Sequence, residues 1–197
     1  MKKHEASRYE IRFSGSGGQG LITAAVIFAE AVGVYDGQFV CQTQSYGPEA
    51  RGGKSKAEVV ISDAPIDYPK ARRLDLLLAM NQAACDAYYR DLSPGGLLVV
   101  DATLVEQHPT SRIVALPFTT IAREELGREM VANMVALGAV GVLSGRVHAA
   151  SLEKALLARV PVGTEELNQK ALQRGMTEAA KIRLETLPRS IFNDDEV

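Results

Sequence analysis

Cysteine is scarce in this 197-residue chain. Cys41 and Cys85 are the only two, far apart and without a Cys-x-x-Cys pair. A self-contained four-cysteine iron–sulfur site and a Cys-rich zinc site are both excluded. Histidine is sparse too: His4, His108 and His148 are scattered and give no metal-ligand spacing. Neither sign of charge dominates, with 22 Lys and Arg against 24 Asp and Glu and a net charge of −2. That balance leaves no basic footprint for a nucleic-acid partner. The longest mostly apolar stretch, 131–143, is interrupted by Asn133 and is too short to span a bilayer. Met1-Lys2-Lys3-His4-Glu5 is followed by no apolar run, so no signal peptide is expected. No nucleophile elbow, Ser/His/Asp constellation, P-loop or pair of catalytic carboxylates is visible. The expectation is a soluble cytoplasmic protein with neither nucleic acid nor membrane as partner.

What is present is an alternation of apolar runs and amphipathic stretches. With 46% hydrophobic residues, a chain of this length can bury one sizeable core unaided. Residues 9–13, 38–43, 56–62, 74–80, 97–101 and 113–117 read as strands. An Ala-rich helix is expected over 21–32, closed by Gly33, and another over 82–91, closed by the turn Ser93-Pro94-Gly95-Gly96. Residues 120–144 read as one helix, apolar all round from Met130 and therefore buried. Gly138 and Gly141 within it suggest close approach of another backbone. So uniform an apolar surface also predicts a self-association or partner-facing patch nearby. Ser151 is a candidate cap for a helix over 152–159, and Thr164 for one running to about 187. The fold expected is α/β, a mostly parallel sheet flanked by helices, with a Rossmann-like first crossover and a helical C-terminal part. The organisation expected is an N-terminal arm at 1–8, one α/β domain at 9–187 and an acidic tail at 188–197.

The most informative local feature is Gly15-Ser16-Gly17-Gly18-Gln19-Gly20. Gly15, Gly17 and Gly20 satisfy G-x-G-x-x-G between an expected strand and an expected helix. Residues without Cβ permit the tight turn, and amides at the helix start favour an anion. A strand-to-helix crossover that binds nothing would use the same glycines. A dinucleotide site further needs an acidic residue about 20 positions on, at the end of the second strand. Cys41, Gln42, Thr43 and Gln44 stand there instead, and Asp36 lies earlier, in a turn. A nicotinamide enzyme is therefore disfavoured. The next loop, 45–56, carries Arg51, Lys54 and Lys56, where an Arg fork could meet phosphate or carboxylate. A solvated loop with Glu49 paired to Arg51 explains the composition equally well. Tyr46 is a candidate interface anchor. Asn81-Gln82 and Asp101-Ala102-Thr103 end two further strands; each reads first as an ordinary helix start or turn.

GSGGQG (15–20), SYGPEARGG (45–53), PKARRLDLLLAMNQAACDAYY (69–89) and LSPGGLLVVD (92–101), taken in order, resemble the gamma subunit of the 2-oxoacid:ferredoxin oxidoreductases, the 2-oxoglutarate type in particular. The resemblance continues through 131–145 and 152–172, covering nearly everything from 9 to 175. Pyruvate and ketoisovalerate enzymes share much of the pattern. The related indolepyruvate enzymes fit less well at the loop before Arg51-Gly52-Gly53. The resemblance implies a subunit of a complex that oxidatively decarboxylates a 2-oxoacid with coenzyme A and reduces ferredoxin. Thiamine diphosphate and iron–sulfur clusters are then expected on alpha, beta and ferredoxin-like partner subunits, with the isolated chain inactive and free to self-associate. No catalytic or metal-binding residue is expected on this chain. Gly15, Gly17, Gly18, Gln19, Gly20, Tyr46, Arg51, Gly52 and Gly53 are the candidate anion, coenzyme A or subunit contacts. Two other readings stay open: a self-sufficient NAD(P)-binding oxidoreductase, and a pure subunit-interaction module.

Overall fold

The computed structural model describes residues 7–46 and 54–190. Six strands, β1 (Arg8–Ser16), β2 (Phe39–Tyr46), β3 (Lys54–Ser62), β4 (Leu74–Ala79), β5 (Leu92–Asp101) and β6 (Ile113–Leu116), form one sheet in the order β2-β3-β1-β4-β5-β6. β1, β4, β5 and β6 pair in parallel, while β3 runs antiparallel to both β1 and β2. Only β3 opposes the common direction, so the mostly parallel α/β reading is correct. Its sequence basis is the near-continuous apolar run in β4 and the second half of β5, typical of strands buried on both faces.

Strand alternation divides the core in two. Ile11, Phe13, Leu76, Leu78, Leu97 and Val99 face a large layer built from α1 (Leu21–Glu30), α4 (Ala132–Ser144), α5 (Ala149–Arg159) and α6 (Glu165–Ala179). Leu77, Ala79, Leu98 and Val100 face a smaller layer with Ala84 and Cys85 of α2 (Gln82–Tyr88). The remaining helix, α3 (Phe118–Thr120), is a single turn after β6.

Several local expectations change. Ser93-Pro94-Gly95-Gly96 belongs to β5 rather than to a turn; a register irregularity against β4 between Leu74 and Leu76 accommodates it. The expected 120–144 helix is broken. A π-helical turn at Ile121–Glu125 ends before Gly127, whose φ of 70° takes the chain out of helix, and α4 starts only at Ala132. α5 begins at Ala149, with Ser151 inside its first turn, and α6 ends at Ala179 instead of about 187. Thr164 precedes α6 without making a side-chain cap.

Buried residues surround α4 from Ala132 to Leu143, with Val142 the exception. Its apolarity is therefore largely consumed inside the chain. Gly138 behaves as expected: a Cβ there would lie 2.0 Å from the Leu172 carbonyl oxygen of α6. Gly175 is the reciprocal position, at 1.8 Å from the Val135 oxygen. Gly141 instead meets the Leu152 side chain, not a backbone.

Candidate functional site

The order of the sheet places its switch point between β1 and β4, where connections leave in opposite directions. Open α/β sheets bind ligands at the carboxyl ends of strands at such a point. Here those ends are Ser16 and Ala79, and the glycine turn sits directly above them.

Each glycine of the turn can be assigned. Gly15 is buried at the strand end; a Cβ there would be 2.3 Å from Gln19 Oε1 and 2.6 Å from Leu21. Gly17 and Gly18 are exposed at the apex, and Gly18 has φ 95°, a conformation that disfavours any side chain. Gly20, with φ 71°, precedes α1, and a Cβ would lie 2.4 Å from Asn133 Nδ2. Gln19 is a brace: its Oε1 accepts the Ser16 amide at 2.7 Å, while its own amide donates to the Ser16 carbonyl at 3.2 Å. The Ser16 amide is thus spent on the turn itself. α1 has neither a side-chain cap nor an acidic residue in its first turn. Its leading amides consequently supply the partial positive charge that an anion or carbonyl group would meet.

Two struts fix the turn from neighbouring elements. Asn81 Nδ2 donates to Ser16 Oγ at 2.6 Å, while Asn81 Oδ1 accepts the Ala84 amide at 2.8 Å and caps α2. Asn133 Nδ2, at the start of α4, donates to the Gly20 carbonyl at 3.1 Å. Fully buried Asp101 accepts the Thr103 and Thr119 amides and the Thr119 hydroxyl, which holds α3 against the end of β5. The plain readings of Asn81 and Asp101 as cap and turn residues are correct; both also shape the crevice.

Between the turn and the segment leading into α4 lies a cavity of about 250 Å³, lined by Gly18, Gln19, Met80, Thr119, Met130 and Asn133 among others. Met130 is 78% exposed at its mouth. Glu129 stands at the rim, and among the described residues no cation lines the cavity. The chemistry offered is amide, hydroxyl and thioether. Glu129, Met130 and Asn133 were hidden from sequence reasoning by the unbroken helix expected over 120–144, and Thr119 stands just before it. Gly127 was the available signal, a helix breaker between two apolar segments.

The basic loop is only partly described. Tyr46 closes β2 opposite Ser55; its side chain, together with Arg51, Gly52 and Gly53, lies outside the described residues. Lys56 is turned to the other face of the sheet, where its Nζ meets Glu58 at 3.3 Å. There Glu58 also accepts two bonds from Arg12, at 3.0 and 2.7 Å. Burial works to raise the Glu58 carboxyl; the hydrogen bonds and charge of Arg12, with Lys56, outweigh it and hold Glu58 below the usual carboxylate range.

The nicotinamide reading fails on geometry as well as sequence. β3 lies between β1 and β2, so the end of β2 is displaced by one extra strand spacing, about 4.8 Å, from a Rossmann position. Asp36, the acid before β2, is engaged elsewhere, accepting the His148 amide at 2.9 Å and the Ser151 hydroxyl at 2.5 Å. Among the described residues no three His, Cys, Asp or Glu side chains cluster. Burial pushes the Cys85 thiol up to about 11, which disfavours the reactive thiolate. No helix among the described residues is long and apolar enough to cross a membrane.

Comparison with known proteins bears on family and fold. The chain is 47% identical to 2-oxoglutarate synthase subunit KorC of Methanocaldococcus jannaschii, over 92% of its own length and 99% of the relative's. It is also 32% identical to pyruvate synthase subunit PorC of Methanothermobacter thermautotrophicus, over 89% of its length and 98% of the relative's. Among solved structures, the gamma subunit of a keto/oxoacid ferredoxin oxidoreductase from Geobacter sulfurreducens superposes with a TM-score of 0.82. That pair shares 51% identity, covering 89% of this chain and 98% of the other. A 2-oxoglutarate:ferredoxin oxidoreductase from Magnetococcus marinus shares the fold, with a TM-score of 0.78 at 22% identity over 94% of this chain and 33% of that one. Residues 10–178 match the model of one family from strand to C-terminal helix. The chain belongs to the pyruvate ferredoxin/flavodoxin oxidoreductase family.

Proposed function

We propose that this chain is the gamma subunit of a 2-oxoglutarate:ferredoxin oxidoreductase, contributing structure and a coenzyme A contact to a complex whose thiamine diphosphate and clusters sit on other subunits. The observation that carries the assignment is the 47% identity to KorC over 92% of this chain and 99% of the relative. The complex would oxidatively decarboxylate the 2-oxoacid, form the acyl-CoA and pass electrons to ferredoxin. Alpha, beta and ferredoxin-like subunits are the expected partners, and the cytoplasm, which keeps Cys41 and Cys85 as thiols, the expected location. One α/β unit over 9–187, with a short arm before it and an acidic tail after it, is the matching domain reading.

Coenzyme A suits the crevice in chemical terms. Its pantetheine arm combines amides with methylenes, and the lining combines Gln19, Asn133 and Thr119 with Met80 and Met130. The uncapped start of α1 suits a carbonyl or phosphate oxygen. On this chain the residues would bind and orient the arm; the chemistry would be supplied elsewhere in the complex.

Exposure of Met130 favours a second reading, in which the crevice mouth is a contact with another subunit. Met130→Glu separates the two by placing a second carboxylate beside Glu129. In the assembled complex purified without oxygen, the first reading expects KM for coenzyme A to rise at least about tenfold, with KM for 2-oxoglutarate unchanged. Loss of the other subunits with unchanged coenzyme A kinetics in the residual complex favours the contact. A preparation in which no other subunit ever accompanies the chain overturns both.

A further inference from the structure

The two edges of the sheet are guarded very differently. β6 is four residues long and lies between Arg112 and Pro117. The Arg112 guanidinium is pinned to the Gly95 and Pro188 carbonyls at 3.0 and 2.6 Å, and Pro117 has no amide to offer. Shortness, a cation and a proline are standard protection against strand addition. β2 has none of these. It is eight residues long, reads FVCQTQSY without a charge or a proline, and pairs with β3 in unbroken register from Phe39 to Tyr46. Nothing among the described residues pairs with its outer side.

The phase of the ladder tells which groups face outward. The Asp63 amide bonds the Ser7 carbonyl at 3.4 Å, and the Met80 amide bonds the Ser14 carbonyl at 2.9 Å. Odd residues of β1 and β3 therefore bond each other, and even residues of β3 bond odd residues of β2. The even residues of β2, among them Val40, Gln42 and Gln44, direct their backbone amides and carbonyls away from the sheet.

We infer that this edge pairs with the same edge of a second copy of the chain, antiparallel about a two-fold axis at Thr43. Strand symmetry demands that residues of one face meet residues of the same face, and this register does so. Gln42 stands opposite Gln44 of the second copy twice over, Val40 opposite position 46, and Thr43 opposite Thr43 of the second copy. Gln–Gln and Thr–Thr pairs suit a cross-strand contact, and no like charges oppose each other. Self-complementarity of an uncharged strand is what an isologous interface requires. The product is a twelve-stranded sheet, about twice the width of this one, whose remaining edges are the two protected β6 strands. The inference stands apart from the crevice, at the opposite side of β3.

Thr43 is the centre of the test, because it falls in a non-hydrogen-bonded pair at the axis, where facing Cβ atoms are closest. Sedimentation of the full chain is expected to show a dimer. Thr43→Lys and Thr43→Glu, each melting as a folded protein by circular dichroism, should each weaken it at least about tenfold. An equimolar mixture of the two should restore a dimer containing one of each. Thr43→Cys with Cys41→Ser should form a disulfide-linked dimer on mild oxidation, and Phe39→Cys with Cys41→Ser should not. A monomeric full chain, dimers that survive both charges, or a mixture that stays monomeric overturns the proposal. So does a Thr43→Lys chain that fails to join its other subunits while the parent chain is monomeric alone, since that assigns the edge to a different occupant.

Discussion

The two faces of the sheet bury their residues by opposite means. One face carries the α1, α4, α5 and α6 layer, in which helices meet through glycine and alanine so closely that backbones touch. Over β1 and β3 the other face carries charge: Arg12 and Glu10 are each 4% exposed and Glu58 6%. Arg12 is shared between Glu58 and Asp91, and Glu10 accepts the Arg72 and Arg73 amides of the chain crossing above it. Shape holds the first layer, and it should be indifferent to pH and sensitive to a single methyl group. Ionisation holds the second, with the reverse sensitivities.

The sharpest way to test that contrast is to add one carbon to the apolar layer. Gly175→Ala and Gly138→Ala each force a Cβ into a carbonyl oxygen of the facing helix, with contacts of 1.8 and 2.0 Å before relaxation. Neither neighbour is a side chain that can swing away. Each should cost about 3 kcal/mol or more, read by denaturant midpoints. Gly141→Ala is the matched control, because its nearest contact is the Leu152 methyl at 2.7 Å. A rotamer shift there should keep the loss near 1 kcal/mol. Equal losses at all three positions would mean that backbone contact is not what joins α4 to α6.

On the charged face the largest effect should come from breaking the pair rather than removing it. Glu58→Ala leaves Arg12 buried with exposed Asp91 as its remaining carboxylate, at a cost of about 3 kcal/mol. Replacing both, as Arg12→Leu with Glu58→Leu, should recover most of that loss. The pH dependence follows from the direction of the Glu58 shift. Its folded pKa lies below the unfolded one, so its stabilisation is present above about pH 4.3 and is lost as pH falls through the lower folded value. Glu58→Gln should flatten that acid limb, and the glycine variants should leave its slope unchanged. A Glu58→Gln chain with the parent's acid slope would break the comparison.

Much of this was legible in the sequence, and for physical reasons. Period-two and continuous apolar runs identified every strand, because burial on one or both faces dictates residue type. The glycine turn announced itself because a tight turn over Met80 and beside Asn133 admits no side chain at 15 or 20. What stayed hidden depended on partners distant in sequence. Arg12 and Glu58 stand 46 positions apart, and only β3 lying beside β1 brings them together. Met130 and Asn133 looked like parts of one helix until Gly127 broke it. Ser151 looked like a cap, whereas its hydroxyl donates to Asp36, more than a hundred residues earlier, and α5 has no side-chain cap.

Asp36 is also where the apolar layer departs from its own rule. It follows the π-helical turn Ala31–Tyr35 that ends α1, and its carboxylate receives the His148 amide and the Ser151 hydroxyl at the start of α5. Two helices of the shape-held layer are thus tied by one acid. Burial acts to raise that carboxyl, and the bonds from Ser151 and His148 prevail and hold it below its ordinary value. Its contribution is therefore present above about pH 3.9 and lost as pH falls through the lower folded value. Asp36→Asn keeps the shape and removes the charge, so it should cost about 1 kcal/mol, the size of a helix cap. That loss should vanish at acid pH, where the parent has lost the same charge. Should the loss persist undiminished below that window, Asp36 acts through packing alone, and the apolar layer owes nothing to ionisation anywhere.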